Sequence, residues 1–419
     1  MGEITQENMA GGSEIKALYQ EIERKDQELS KLNDLKNEFV STVSHELRTP
    51  LAIIREATSQ VLDQTLGKIN PKQKRFLAIS LDGIDRLGRI VDDLLDISKI
   101  EAGKLALRRE LTDIVKLAKE VQSNFLNQAR GKGLALKLQC SSSRIEMYID
   151  RDRITQVFTN LLSNALKFTE QGYIEMIISE NEHVVECCVL DTGKGISQED
   201  LPRVFSKFEQ FNREFGPGEK GTGLGLAISK GIVETHQGSI RVESAPTFSN
   251  KFEEVGVPTP HEKADVGKSG RGAQFIFTLP KVTSRQLFKE QITRNIKEAI
   301  KQESSLAVIV FEVKNFETLE KKLRKRLDSI LEGLEFIVKQ NLRRRADVAM
   351  KDKRRVLLLL PDTDKENAPL VAGRMQKAMN SYLIKQKLRR QVAMDCKIVV
   401  FPEDGHKAEE LLMKAGVQE

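Results

Sequence analysis

Between Ile15 and Val43 the apolar residues Leu18, Ile22, Leu29, Leu32, Phe39 and Val43 recur on one helical seam, interrupted by Lys25 and Lys36 and flanked by charged side chains. A lone amphipathic helix shows such a stripe too, but a heptad seam of this length is best buried against another helix, as a parallel coiled coil. A second helical stretch follows the loop T-L-G-K-I-N. Pro71 falls in its first turn, and Leu77, Ile84, Leu87, Val91, Leu94 and Ser98 mark the stripe it buries before about Glu101. Two long helices joined by a short loop form an antiparallel hairpin whose stripe neither helix covers alone. Pairing two hairpins covers it, so the spacing predicts a dimeric four-helix bundle.

The stretch F-V-S-T-V-S-H-E-L-R-T-P-L, Phe39 to Leu51, sets His45 on the first of these helices. Glu46 follows it and Thr49 lies four residues on, on the same face. Pro50 removes one backbone bond and is expected to loosen the helix below the histidine. An exposed imidazole beside a carboxylate can act as a nucleophile, because the carboxylate orients the ring and stabilises the departing proton. An ordinary helical histidine beside a solvated glutamate presents the same pair, so His45 and Glu46 alone decide nothing.

From about Leu111 to Val282 helices and strands alternate, which predicts an α/β sandwich. Helices are expected near 114–128 and over 151–168, with strands near 134–138, 173–179, 183–190, 239–244 and 274–279. Within the second helix Asn160, Asn164 and Lys167 fall at i, i+4 and i+7. Amide oxygens in such a stripe can hold Mg²⁺ alongside phosphate oxygens, and the ammonium neutralises charge. Asp191-Thr-Gly193-Lys-Gly195 follows the apolar strand V-V-E-C-C-V-L. A carboxylate there can accept the exocyclic amine of adenine, while the glycines let the backbone approach the ring. Gly221-Thr222-Gly223-Leu224-Gly225 opens a helix running to about His236, where bare amide N–H groups and the positive dipole end suit phosphates. Before it, Phe205, Phe208 and a glycine-bearing stretch read as a mobile lid. Gly216-Pro-Gly218-Glu-Lys-Gly221 formally matches G-x-G-x-x-G but follows no strand, which excludes a dinucleotide fold. A P-loop and the motifs of Ser/Thr/Tyr kinases are absent.

S-H-E-L-R-T-P-L resembles the H-box of sensor histidine kinases, and the three later strings resemble that family's N, G1 and G2 boxes, with its F-box and ATP lid between, all in the family's order. The exit S-K-I-E-A-G-K-L at Ser98 to Leu105 is similar as well, with Gly103 as helix end and hinge. The last three boxes alone would also suit chaperone-type or topoisomerase-type ATPases; the H-box separates the kinase from those. The resemblance implies a phosphoacceptor His45, its base Glu46, and Thr49 positioning a water to dephosphorylate a partner. It further implies ATP and Mg²⁺ bound by Asn160, Asn164, Lys167, Asp191, Gly193, Gly195, Phe205, Phe208, Gly221, Thr222, Gly223, Leu224 and Gly225, with Asn160 and Asn164 as metal ligands. On this reading a homodimer autophosphorylates His45 and passes the phosphoryl group to an Asp on the receiver domain of a separate response regulator. Two alternatives are a phosphatase-biased regulator and an ATP-binding scaffold without turnover. His183, His236 and His261 are expected to be structural or solvated.

The tail shows a further α/β order: helix 286–301, strand 307–313, helix 316–340, a hairpin through 348–360, helix 367–384, strand 392–401 and helix 407–415. L-L-P-D-T-D and F-P-E-D-G-H-K-A-E-E-L-L-M-K-A resemble diguanylate cyclase (GGDEF-type) domains, which implies a ferredoxin-like fold. The family's hairpin motif is replaced by Met350-Lys-Asp352-Lys-Arg-Arg355, and its first-strand metal carboxylates correspond at best to Glu312 and Lys314. Two Mg²⁺ ions would lack ligands there, so no cyclase activity is expected. The expected divisions are a flexible tail 1–14, a coiled-coil signalling helix 15–38, a dimerisation and phosphoacceptor domain 39–104, an ATP-binding domain 111–283 and a degenerate GGDEF-like domain 286–419. The polar stretch 245–272, where the kinase family has a short turn, is expected to be a disordered excursion or docking loop.

Composition excludes little else. The net charge of +6 over 419 residues is modest, Trp is absent and aromatic residues make up 5%, so nucleic acid is not an expected partner. Basic strings such as K-K-L-R-K-R and N-L-R-R-R read as solvated faces. Cys140, Cys187, Cys188 and Cys396 form no C-x-x-C pair and read as reduced thiols, with Cys187 and Cys188 on opposite faces of a strand. No run approaches the ~20 apolar residues that cross a bilayer, and M-G-E-I-T-Q-E-N is no signal peptide, so a cytoplasmic location is expected.

Overall fold

The computed structural model describes residues 3–210, 222–244, 272–344 and 346–417. The side chains of Leu18, Ile22 and Leu29, Gly221, and nearly all of the 245–272 insertion lie outside the described residues. The chain divides into two compact units, Met1–Lys281 and Val282–Glu419.

The first unit begins with a helical hairpin. Helix α1 spans Glu3–Leu62 without a break, so the expected division at residue 38 is not a structural joint, and the helix continues through Pro50 rather than parting there. Helix α2 spans Pro71–Glu101. Its start is set by a capping box, in which the Asn70 side chain accepts the Gln73 N–H and the Gln73 side chain accepts the Asn70 N–H, each at 2.8 Å. Its end is a Schellman turn: Gly103 takes φ +61°, its N–H reaches the Ile100 carbonyl, and the Lys104 N–H reaches that of Lys99. Ion pairs Lys36–Glu101, Arg48–Asp92 and Arg55–Asp85 set the antiparallel register. Val91, Leu95 and Ile97 are buried, whereas Leu47, Ile53, Ile54, Phe76, Ile79 and Leu87 stay open along the hairpin. Leu87, expected in the buried stripe, is 46% exposed in the single chain; this is the apolar face a second hairpin would cover.

The rest of this unit adds strands β1 Glu110–Asp113, β2 Ala135–Cys140, β3 Glu146–Ile149, β4 Tyr173–Glu180, β5 Val184–Asp191, β6 Ser239–Ser244 and β7 Ala273–Pro280, with helices α3 Ile114–Gly131, α4 Arg151–Phe168 and α5 Gly225–Thr235. The five-stranded sheet runs β2-β4-β5-β7-β6, with β2 parallel to β4 and the other pairs antiparallel. Strands β1 and β3 form a separate antiparallel pair that the sequence reading lacked. One sheet face packs Ile174, Cys187, Val189 and Phe277 against Leu161, Leu162, Ile228 and Ile232 of the helices. The other carries Ile177, Cys188, Leu190 and Ile276, so the adjacent cysteines do part to opposite faces.

The second unit comprises α6 Ser284–Gln302, β8 Leu306–Val313, α7 Phe316–Leu323, α8 Lys325–Asn341, β9 Val348–Asp352, β10 Arg355–Pro361, α9 Ala368–Lys385, β11 Met394–Phe401 and α10 Ala408–Lys414. Its antiparallel sheet runs β11-β8-β10-β9, the split β-α-β order of ferredoxin-like folds. The single helix expected over 316–340 is two helices, because Arg324 takes φ +46° and ends α7.

Candidate nucleotide site and phosphoacceptor helix

Asp191 closes β5, where the antiparallel ladder on both sides buries the strand, and it is 6% exposed. Its Oδ1 accepts the Gly193 N–H at 2.9 Å, and Ala273 supplies a second backbone donor. Burial outweighs both and pushes the carboxyl up to about 6. Gly193 is required by contact: a Cβ there would lie 2.4 Å from the Phe168 carbonyl oxygen and 2.9 Å from Asp191 Oδ1. Gly195 needs its freedom for another reason, a φ of +69°. Lys194 and Lys167 lie 5.0 and 5.3 Å from the Phe168 ring centroid, so the turn after β5 and the end of α4 meet around that ring.

Asn160, half-buried on α4, donates through Nδ2 to the Gly225 carbonyl at 3.1 Å and to Ser229 Oγ at 3.3 Å. The first turn of α5 is thus pinned to α4, and among the described residues Asn160 Oδ1 accepts no hydrogen bond. Asn164 is half-buried one turn on. Thr222 accepts the Leu224 N–H at 3.1 Å. Gly223, at φ +72°, sits where a Cβ would be 2.9 Å from backbone atoms of Phe208 and Glu209, and its carbonyl accepts the Phe208 N–H. These contacts bring three of the strings from Sequence analysis to one region around α4, α5 and the end of β5.

Two expected members stand differently. Phe205 packs edge-on against Phe275 with ring centroids 6.4 Å apart, and Leu224 is 1% exposed; both serve the apolar core. Phe208 is 64% exposed, at φ +63°. His45, Glu46 and Thr49 all lie on the exposed part of α1, above buried Ser44. His236, 2% exposed, is structural: its Nδ1–H donates to the Ile232 carbonyl at 2.9 Å and its Nε2 accepts the Asp150 N–H at 3.1 Å, and burial lowers it to about 4. Sequence reasoning missed Asp93 of α2, whose Oδ2 accepts from Thr222 Oγ1 at 3.0 Å; a solvated helix acid carries no local signal of such a contact.

The residues around Asp191 fit an adenine nucleotide. A buried carboxylate faces a turn stripped of Cβ atoms, beside amides and an ammonium. Among the described residues no group of three His, Cys, Asp or Glu side chains could hold a metal ion, so a magnesium ion here would rest on amide and phosphate oxygens. In the second unit Glu312 of β8 does not fit a metal-bearing role: its Oε1 lies 2.8 Å from Arg354 Nε and 3.1 Å from Arg355 Nη2, so a guanidinium pair already neutralises it. Lys314 in turn pairs with Asp395.

Three stretches of the chain match known families. Residues 35–103 match the His Kinase A (phospho-acceptor) domain, 149–283 the histidine kinase-, DNA gyrase B- and HSP90-like ATPase, and 278–418 the diguanylate cyclase GGDEF domain. Sensor protein SrrB of Staphylococcus aureus (strain NCTC 8325 / PS 47) is 34% identical over 251 residues, covering 60% of this chain and 39% of that protein. The chain therefore spans about two fifths of the length of such curated relatives. Among solved structures, full-length ShkA in complex with AMPPNP is 27% identical, with a TM-score of 0.46, 59% of this chain and 46% of that one. Acinetobacter baumannii histidine kinase AdeS is 24% identical, with a TM-score of 0.37, 57% of this chain and 98% of that one. Among the described residues no helix is long and apolar enough to cross a membrane.

Proposed function

We propose, from the chain's membership of the sensor histidine kinases, with a GGDEF-family domain behind the kinase core, that it phosphorylates its own His45 from ATP and serves a response regulator. The observation that carries this reading is the buried Asp191 carboxylate facing the Cβ-free turn at Gly193, in the same unit as the exposed His45.

Asp191 would accept the adenine amine, with Gly193 and Gly195 giving the ring its approach. Asn160 and Asn164 would direct amide oxygens, and Lys167 its ammonium, toward the phosphates and a magnesium ion. That ion would supply charge neutralisation at the transferring phosphoryl group. An imidazole nitrogen of His45 attacks the γ-phosphorus, the bond to the β–γ bridging oxygen breaks, ADP leaves, and Glu46 takes the proton from the ring's other nitrogen. Positioning and charge neutralisation carry most of such a transfer. The phosphoryl group then passes to an Asp carboxylate of a receiver domain, and Thr49 would position a water for the reverse task, draining that Asp. The open stripe of Leu47, Ile53, Ile54, Phe76, Ile79 and Leu87 supports homodimerisation as a four-helix bundle. Residues 15–38 would act as the signalling helix, 39–104 as the phosphoacceptor domain, 111–283 as the ATP domain and 286–419 as a module without cyclase chemistry. The cytoplasm is the compartment that holds such a partner and the ATP.

Incubation with γ-labelled ATP and Mg²⁺, beside His45→Gln, tests this. Acid-labile, alkali-stable label on the parent and none on the variant is expected. A parent that binds ATP and stays unlabelled overturns the kinase reading.

A further inference from the structure

Among the described residues, contacts from Asp96, Ile100, Glu101 and Asp93 help seat the ATP region on the C-terminal half of α2. Asp96 accepts from Arg153 Nη1 at 2.6 Å and Gln156 Nε2 at 3.0 Å. Ile100 lies against Gly231, where an added Cβ would come within 2.6 Å of its Cγ2. Glu101 joins Lys207, next to Phe208, and also Lys36 of α1. The fourth is the Asp93–Thr222 bond. Lys36 and Arg48 pair with Glu101 and Asp92, so Asp93 stands on α2 at about the height of His45.

The fourth contact differs in kind from the others. Arg153, Gln156 and Lys207 offer donors that have no part in the nucleotide site, whereas Thr222 belongs to the glycine loop that opens α5. Its one hydroxyl proton is given to Asp93, and its oxygen already accepts the Leu224 N–H. While that arrangement holds, the hydroxyl has no proton for a phosphate oxygen. Asp93 also brings a half-buried carboxylate to a loop whose amides and helix dipole favour anions. Carboxylate and polyphosphate carry charge of the same sign and compete for the same donors. Burial raises the Asp93 carboxyl in spite of the Thr222 bond, as expected of an anion held where it is incompletely solvated.

We infer that Asp93 is an internal competitor for the nucleotide's phosphates: seated on Thr222 it holds the glycine loop in a low-affinity state, and a nucleoside triphosphate binds by displacing it and loosening the ATP region from α2. This rests on the proposed function, since it requires that the loop bind phosphates. Asp93 is a positioning residue here, acting on the nucleotide through Thr222. The Glu101 pairs with Lys36 and Lys207 connect the same loop edge to α1, so a shift of α1 that draws Glu101 away would weaken the seat from the signalling side.

The test is calorimetric titration of the full chain, as parent, Asp93→Asn and Asp93→Ala, with Mg·ATP, Mg·ADP and AMP. Removing one like charge from a partly buried anion site is expected to tighten ATP about tenfold, ADP by less, and AMP hardly at all, in both variants. A purely structural role for Asp93 would move all three nucleotides together, and that result overturns the inference. ATP affinity equal to or weaker than the parent's in both variants also overturns it. A parent that binds none of the three overturns the proposed function itself, and the inference with it.

Discussion

Asp191→Asn should separate stability from binding, and the direction of each effect follows from burial. The folded-state carboxyl lies at about 6 against an ordinary 3.8, chiefly through desolvation. Because the folded value is the higher one, folding takes up a proton between those limits, and the ionised carboxylate opposes folding. That cost is absent below about pH 4 and complete above about pH 6. At about 1.4 kcal/mol per pH unit, ionised Asp191 costs the ATP region roughly 3 kcal/mol at neutral pH. Asparagine keeps an oxygen for the Gly193 and Ala273 N–H groups and carries no charge. Urea unfolding followed by circular dichroism should therefore show the variant's advantage growing from near zero at pH 4 to as much as about 3 kcal/mol at pH 7. Nucleotide affinity should move the other way, with a loss of about 1 to 1.5 kcal/mol when the proposed charge-assisted bond to the adenine amine becomes a neutral one. A variant that is less stable than the parent at pH 7, or more stable by the same amount at every pH, would refute the burial argument. Unchanged nucleotide affinity would remove the adenine assignment.

Three further outcomes are expected. Gly193→Ala forces a Cβ onto the Phe168 carbonyl; it should destabilise the ATP region by about 1 to 3 kcal/mol and lower ATP affinity, read by denaturant melts and titration. His236 lies at about 4 instead of 6.5, so its contribution is full above about pH 6.5 and is lost as pH falls toward 4. His236→Gln should flatten the acid limb of the stability profile there, and an unchanged limb would count against the buried neutral ring. In the second unit, with Glu312 held by Arg354 and Arg355, GTP and Mg²⁺ should yield no cyclic dinucleotide, and chelators should leave this unit's melting unchanged, both checked on the full chain.

Elements with local chemical boundaries were legible in the sequence. Helix α4 matches the expected range because Asp150 caps it and its apolar stripe runs unbroken to Phe168, and α2 begins at Pro71 behind Asn70 for the same kind of reason. Gly103 ends α2 as expected. What escaped notice was set by distant partners. Strands β1 and β3 hold four residues each and pair across 36 positions, so neither shows a pattern of its own. The break at Arg324 is a single residue's backbone choice inside a continuous helical pattern. In the candidate site, Asp191 and Gly193 were readable because a carboxylate and a missing Cβ are chemical statements in themselves. That Phe205 and Leu224 pack inward while Thr222 turns to Asp93 depends on which element lies opposite, and no spacing rule encodes that.

Helix α1 runs unbroken from Glu3 past His45, and at about 1.5 Å per residue its N-terminal end stands roughly 60 Å from the histidine. A rod of that kind has no joint in which rotation can be lost, so a twist applied at the far end arrives at His45 as the same angle. The one missing backbone donor along it is the N–H of Pro50, which would have bonded the Glu46 carbonyl. Torsional compliance therefore begins just beyond His45: a turn of the rod reaches the imidazole whole and is taken up in the turns that follow.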